Sequence, residues 1–183
     1  MIPSSHIFYS LLYSGDQTQH LLYRLQDGEI PLEVSLDDKT EFILMIGTNN
    51  LGSGMLPNAT ADGVEAVADY ILANTKGHVL LLELLPRGDA QNTNRICPPR
   101  CQSNGEPFKS FMPAIEKVNS AIRQMIIPRL RKKYGKHRVK SIDCGSNFLE
   151  ENEVQMRLMP DKLHPNAEGH KILAQCIFDP IND

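Results

Sequence analysis

"HVLLLELLP", residues 78–86, decides how this chain is read. From Val79 to Leu82 every side chain is apolar, so neither face of an extended segment is left for water. A strand buried on both faces belongs to a parallel sheet covered by helices on either side. The neighbouring segments have the other periodicity. "ADGVEAVADYILANTKG", residues 61–77, spaces Val64, Val67, Ala68, Ile71 and Leu72 as one face of a helix and stops at Gly77. "PAIEKVNSAIRQMIIPRLRKKYG", residues 113–135, repeats the pattern through Ile115, Val118, Ile122 and Met125.

Further outward the alternation continues. "HIFYSLLYSG" (6–15), "EFILMIG" (41–47) and "RVKSIDC" (138–144) read as strands, while "QTQHLLYRLQDG" (17–28) and "NAEGHKILAQCIF" (166–178) read as helices, the last with Ile172, Leu173 and Cys176 inward. Strands alternating with helices predict an α/β fold with a parallel sheet between two helical layers. Working groups in such sheets stand on loops beyond the carboxyl ends of the strands. Those loops are "SGDQT" (14–18), "GTNN" (47–50), "LPRGD" (85–89) and the segment leading to "DKLHP" (161–165).

Composition narrows the function. At 183 residues the chain fits one domain with one core. A net charge of −3, a pI near 6.1 and the absence of tryptophan argue against nucleic acid as a partner. The apolar runs fall far short of the roughly 20 residues of a membrane span, so a soluble protein without a transmembrane segment is expected. "MIPSSHIFYSLLYSG" lacks the basic start and cleavage site of a secretory signal, which leaves the cytoplasm as the default compartment. Cys144 and Cys176 fall in apolar patterns and read as buried thiols. Cys97 and Cys101, in "ICPPRC", read as unpaired loop thiols; a small disulfide or a metal half-site is the alternative, but no second pair with zinc spacing accompanies them. The basic run "RLRKKYGKHR" (129–138) suits the negative end of a helix dipole, with a phosphate or anionic-lipid contact as the lesser reading. Loop 87–110 exceeds ordinary connection length and reads as a lid, a partner contact or a disordered insertion.

Four groups carry candidate chemistry. Asn49, after Gly47 at the end of a buried strand, can donate from its amide to a developing oxyanion; Asn49 and Asn50 can equally be turn residues. Gly15 offers a backbone N–H at a strand-to-helix turn, with Asp16 beside it as an ordinary N-cap. Asp161 stands three residues before His164, close enough to accept its Nδ1 proton, fix the tautomer and stabilise an imidazolium. A solvated histidine beside a capping Asn166 is the competing reading, and a metal set of Asp161, His164 and His170 is a weaker one.

"SGDQTQHLLYRLQDGEIP" (14–31), "ILMIGTNN" (43–50), "LLELLPRGD" (81–89) and "DKLHPNAEGH" (161–170) together resemble the SGNH (GDSL-type) hydrolases, in particular the branch of platelet-activating-factor acetylhydrolase catalytic subunits. The resemblance implies a three-layer αβα sandwich with a flavodoxin-like parallel sheet and a serine acyl-enzyme mechanism on small esters. It calls for no metal or organic cofactor, and it is compatible with a homo- or heterodimer. It makes Gly15 and Asn49 oxyanion donors, His164 the general base and Asp161 its orienting acid.

The chain departs from the family at the nucleophile. No Gly-Asp-Ser occurs; the Gly-Asp pairs Gly15-Asp16 and Gly88-Asp89 are followed by Gln17 and Ala90. Residues 1–183 are therefore expected to form one SGNH-like domain, N-terminally incomplete, whose sheet lacks its first central strand. A nucleophile strand and its crossover helix need about 20 or more residues ahead of the first strand. Ser4, Ser5 and Ser10 do not fall at the carboxyl rim, and Ser14 adjoins the oxyanion glycine, so no nucleophile is assigned. A non-catalytic binding or subunit-partner protein is the alternative function.

Overall fold

A computed structural model describes residues 13–178. In chain order the elements are α1 (Thr18–Gln26), α2 (Leu32–Leu36), β1 (Glu41–Leu44), α3 (Thr48–Gly52), α4 (Pro57–Asn74), β2 (His78–Leu82) and α5 (Ala90–Ile96). There follow α6 (Met112–Ala121), a π-helical turn (Ile122–Ile126), α7 (Ile127–Tyr134), β3 (Val139–Ile142), a 3₁₀ turn (Gly145–Phe148), the short strands β4 (Leu149–Glu150) and β5 (Glu153–Val154), and α8 (Ala167–Phe178). The expected strand at 6–15 lies almost wholly outside the described residues.

The main sheet is parallel, in the order β1-β2-β3, with Phe42 opposite Val79 and Val79 opposite Val139. Alternation along β2 builds the layers. Val79 and Leu81 join a core with Leu44, Val139 and residues of α1, α4, α6 and α7. Leu80 and Leu82 face the opposite way, into a second core with Cys144, Phe148, Leu158, Met159 and Leu173 of α8. Helices thus cover both faces of the central strand, as its unbroken apolar run requires. The covering is uneven. On β1, Phe42 and Leu44 turn toward the first core, whereas Ile43 and the following Met45 are each 38% exposed.

The long helical pattern shifts phase midway. Met125 is expected inward, yet it is half exposed and Ile126 is buried in its place. The π-helical turn inserts the extra residue that moves the stripe, just ahead of Pro128, which has no N–H to donate to the preceding turn. The basic run also settles into structure. Arg129 pairs with Glu65 and Lys133 with Asp69, both on α4, while Arg138 donates to the carbonyls of Leu72, Thr75 and Gly77.

Two cysteine expectations are corrected. Cys144 and Cys176 form a disulfide that fastens the end of β3 to α8, and Cys97 and Cys101 close a second, five-residue ring. Loop 87–110 is ordered rather than a disordered insertion: it contains α5 and that ring. No helix among the described residues is long and apolar enough to cross a membrane.

Candidate active site

The strands end at the loops that carry the candidate residues. After β1 the chain turns at Gly47, whose φ of +127° favours glycine and where a Cβ would lie 3.0 Å from the Thr60 methyl. That turn starts α3, which holds both asparagines. They do different things. Asn50 is fully buried; its Oδ1 accepts the Thr18 N–H at 3.0 Å and its Nδ2 donates to Thr18 Oγ1, so it splices the start of α1 onto α3. Asn49 is half-buried, and its Nδ2 donates to the Asp16 carbonyl at 2.9 Å. An amide nitrogen carries two N–H groups, and the second has no acceptor among the described residues.

Gly15 takes a φ of +83° in an exposed turn closed by the Asp16 N–H donating to the Tyr13 carbonyl. Its own N–H has no acceptor among the described residues. Asp16 does not cap α1 with its side chain, contrary to the local reading. It pairs with Arg24 at 2.6 Å, and Arg24 also reaches Glu29 and lies over the Tyr13 ring. Asp16 stands just ahead of the N-cap residue Gln17, and its carboxylate partners a cation of α1 rather than the helix's own amides.

Asp161 and His164 form the second group. Asp161 Oδ2 meets His164 Nδ1 at 2.6 Å, while its Oδ1 accepts the backbone N–H groups of His164 at 2.7 Å and Leu163 at 3.0 Å. Burial pushes the Asp161 carboxyl upward, but the hydrogen bonds from the imidazole and the two amides outweigh it, and its pKa falls to about 2. The carboxylate is therefore ionised at neutral pH, and in the neutral imidazole it favours the tautomer with the proton on Nδ1 and Nε2 as acceptor. His164 is 75% exposed in its side chain, and Nε2 has no partner among the described residues. The tight turn places Lys162 at a φ of +59°, in the left-handed region. Asn166 caps α8 through the N–H groups of Glu168 and Gly169, so the expected cap is present beside the dyad and does not replace it. Asp161, His164 and His170 do not gather as a metal site among the described residues.

One segment joins the two groups, and sequence reasoning missed the residue that does it. Arg87 follows β2 and is nearly fully buried. It forms a bidentate pair with Asp89 at 2.7 and 2.9 Å, donates through Nη1 to the Thr48 carbonyl at 2.7 Å, and lies over the Phe111 ring. The next residue, Gly88, donates its N–H to the Lys162 carbonyl at 2.9 Å. Contacts thus run unbroken from Asp16 to Asn49, Thr48, Arg87, Gly88, Lys162 and the dyad. Gly52 leaves room for this hub, since a Cβ there would sit 2.6 Å from Arg87 Nη1. Asn119 of α6 grips the strand extension from the other side, bonding both the N–H and the carbonyl of Leu84. A charged residue directly after a buried strand was the available signal for Arg87. Its burial was not legible.

Of the serines weighed as nucleophiles, Ser4, Ser5 and Ser10 lie outside the described residues, and Ser14 is exposed on the Gly15 turn.

Comparison with known proteins places this architecture. Residues 5–172 match the profile of the GDSL-like lipase/acylhydrolase family. The chain is 34% identical over 171 residues to the platelet-activating factor acetylhydrolase IB subunit alpha2 of Homo sapiens and of Rattus norvegicus, covering 91% of this chain and 61% of each relative. It therefore spans about three-fifths of the length of those relatives. A GDSL-like lipase from Bacteroides thetaiotaomicron superposes with a TM-score of 0.66 at 20% identity, covering 92% of this chain and 72% of that one. The OSK domain of Drosophila Oskar superposes with a TM-score of 0.53 at 16% identity, covering 90% and 69%. A family profile that takes in nearly the whole chain, on a parallel sheet sandwiched between helices, establishes that the protein belongs to the GDSL-like lipase/acylhydrolase family.

Proposed function

We propose that this chain carries the base and oxyanion side of a carboxylic-ester hydrolase acting on small esters, acetyl esters foremost. The observation that carries the reading is the 2.6 Å contact between Asp161 and His164, on a rim wired through Arg87 and Gly88 to Asn49 and the Gly15 turn. In the proposed reaction a serine hydroxyl adds to the ester carbonyl while His164 Nε2 takes its proton, and Asp161 stabilises the imidazolium. The Gly15 N–H and the free N–H of Asn49 hold the tetrahedral oxyanion. Collapse expels the alcohol, which His164 protonates, and water then releases the acid by the same steps in reverse.

The serine is proposed to come from a Gly-Asp-Ser strand absent from these 183 residues. Among the described residues no strand pairs with the outer edge of β1, and Ile43 and Met45 are each 38% exposed, which supports that placement: a strand beside β1 and its crossover helix would cover both. A second reading has its own support. The sequence contains no Gly-Asp-Ser, and a chain that works without one would be a binding or subunit-partner protein of the same fold. Association with a second copy or a related subunit belongs to either reading. The disulfides at Cys97–Cys101 and Cys144–Cys176 favour an oxidising compartment over the cytoplasmic default.

The test is fluorophosphonate labelling and p-nitrophenyl acetate turnover, on the 183-residue chain and on any form in which a verified transcript extends it upstream. Labelling confined to the extended form, at a Gly-Asp-Ser serine, supports the esterase reading. Labelling of the short chain that disappears in Ser14→Ala overturns the placement of the nucleophile. An in-frame stop immediately ahead of Met1, with no labelling, favours the binding protein.

A further inference from the structure

An open surface cavity of about 370 Å³ is lined by Ser53, Gly54, Arg95, Ile96, Pro99 and Arg100. Two links tie its Ser53 to the candidate oxyanion donors. Ser53 follows Asn49 by four residues across α3, about 6 Å of helix axis. Ser53 Oγ also accepts from Gln17 Nε2 at 2.7 Å, and Gln17 stands two residues beyond Gly15.

Its electrostatics are one-sided. Arg95 donates to the side-chain oxygen of Asn92, and Arg100 donates through Nε to the Gly54 carbonyl at 2.8 Å. Neither meets a carboxylate among the described residues, although most arginines of this chain do. Asp89, the carboxylate just ahead of α5, is already taken by Arg87 and Asn92. Two guanidinium groups therefore bring positive charge to one concave site with most of their N–H groups uncommitted. Arg100 is held in place there: it sits inside the Cys97–Cys101 ring, its N–H donates to the Ile96 carbonyl at 2.8 Å, and Pro98 and Pro99 stiffen the ring. Planar guanidinium forks match carboxylate and phosphoryl oxygens bidentately.

We propose that this cavity binds an anionic group, carboxylate or phosphoryl, on the ester substrate, and so selects charged esters over neutral ones. Resting on the esterase reading for its neighbouring donors, it makes Arg95 and Arg100 specificity-determining residues without a part in bond breaking.

Binding tests it without turnover. The ¹⁵N-labelled 183-residue chain is titrated with three acetamides that cannot be hydrolysed as esters: 2-acetamidoethyl phosphate, N-acetyl-β-alanine and neutral N-acetylethanolamine. At least one anionic analogue is expected to bind 10-fold or more tightly than the neutral one and to shift Ser53 and Gly54. The tighter of the two identifies the anion. R95Q, which removes one exposed hydrogen bond and so leaves the fold in place, is expected to weaken that binding at least fivefold, and R95Q/R100Q to abolish the preference. Equal affinity for all three analogues overturns the proposal, as does unchanged affinity in R95Q. Failure of the esterase reading looks different: anion binding persists in a protein that no upstream extension renders active.

Discussion

The two halves of the candidate site are built on opposite plans. The Asp161–His164 dyad is local and exposed: one turn of four residues, with a carboxylate that accepts from the imidazole and from two amides of the same turn. The Gly15–Asn49 half is assembled from afar. Thr18 and Asn50 are 32 residues apart, Arg87 and Thr48 are 39 apart, and all of these contacts are buried or half-buried. A local turn keeps its geometry when its surroundings change, whereas a nonlocal one depends on each strut. The first half should therefore fail chemically without failing structurally. The second should fail both ways.

The largest effect is expected where the difference is purest. In a catalytically active form, His164→Ala should lower turnover about 10⁴-fold, roughly 5.5 kcal/mol, with an unchanged melting curve. Unchanged turnover would refute the base assignment. Next comes the strut. Arg87→Met strands Asp89 without its buried partner and frees the Thr48 carbonyl, and should destabilise the protein by about 3–5 kcal/mol in urea unfolding. Because Gly88 still holds Lys162 through its backbone, the Asp161–His164 contact should survive, readable as an unchanged His164 imidazole resonance in the folded protein. Loss of that resonance pattern would show that the halves are not separable.

Asn49→Ala sits between the two plans, since it removes a donor and also the tie to the Asp16 carbonyl. Its turnover should fall about 10²–10³-fold with a small change in stability. The smallest effect concerns pH. The Asp161 pKa is lowered from 3.8 to about 2, so its stabilising contribution is complete above about pH 4 and disappears as pH falls through 2. The stability difference between the native chain and Asp161→Asn should stay level from pH 7 to 4 and close only below that. A difference that closes near pH 6 would place the titration elsewhere.

What could be read from the sequence follows the same division. β2 was legible because burial on both faces leaves an unbroken apolar run, and α4 because a single buried face leaves a clean stripe. The dyad was legible because both members lie within one turn. Pairings between distant residues were not: Cys144 and Cys176 are 32 positions apart, and nothing in either neighbourhood names the other. The phase shift that exposes Met125 depends on a π-helical turn, which periodicity cannot anticipate because it assumes a constant pitch. Arg87 shows the limit most clearly. An arginine after a strand looks like a solvated rim charge until the fold closes around it.

Whether Gly15, Asn49 and His164 serve one small space can be measured without turnover. Titrating the ¹⁵N-labelled chain with acetate, the product of the proposed reaction, should move the Gly15 amide, the Asn49 side-chain NH₂ and the His164 imidazole along a single binding curve. Separate curves, or shifts confined to one of the two halves, would contradict a common site.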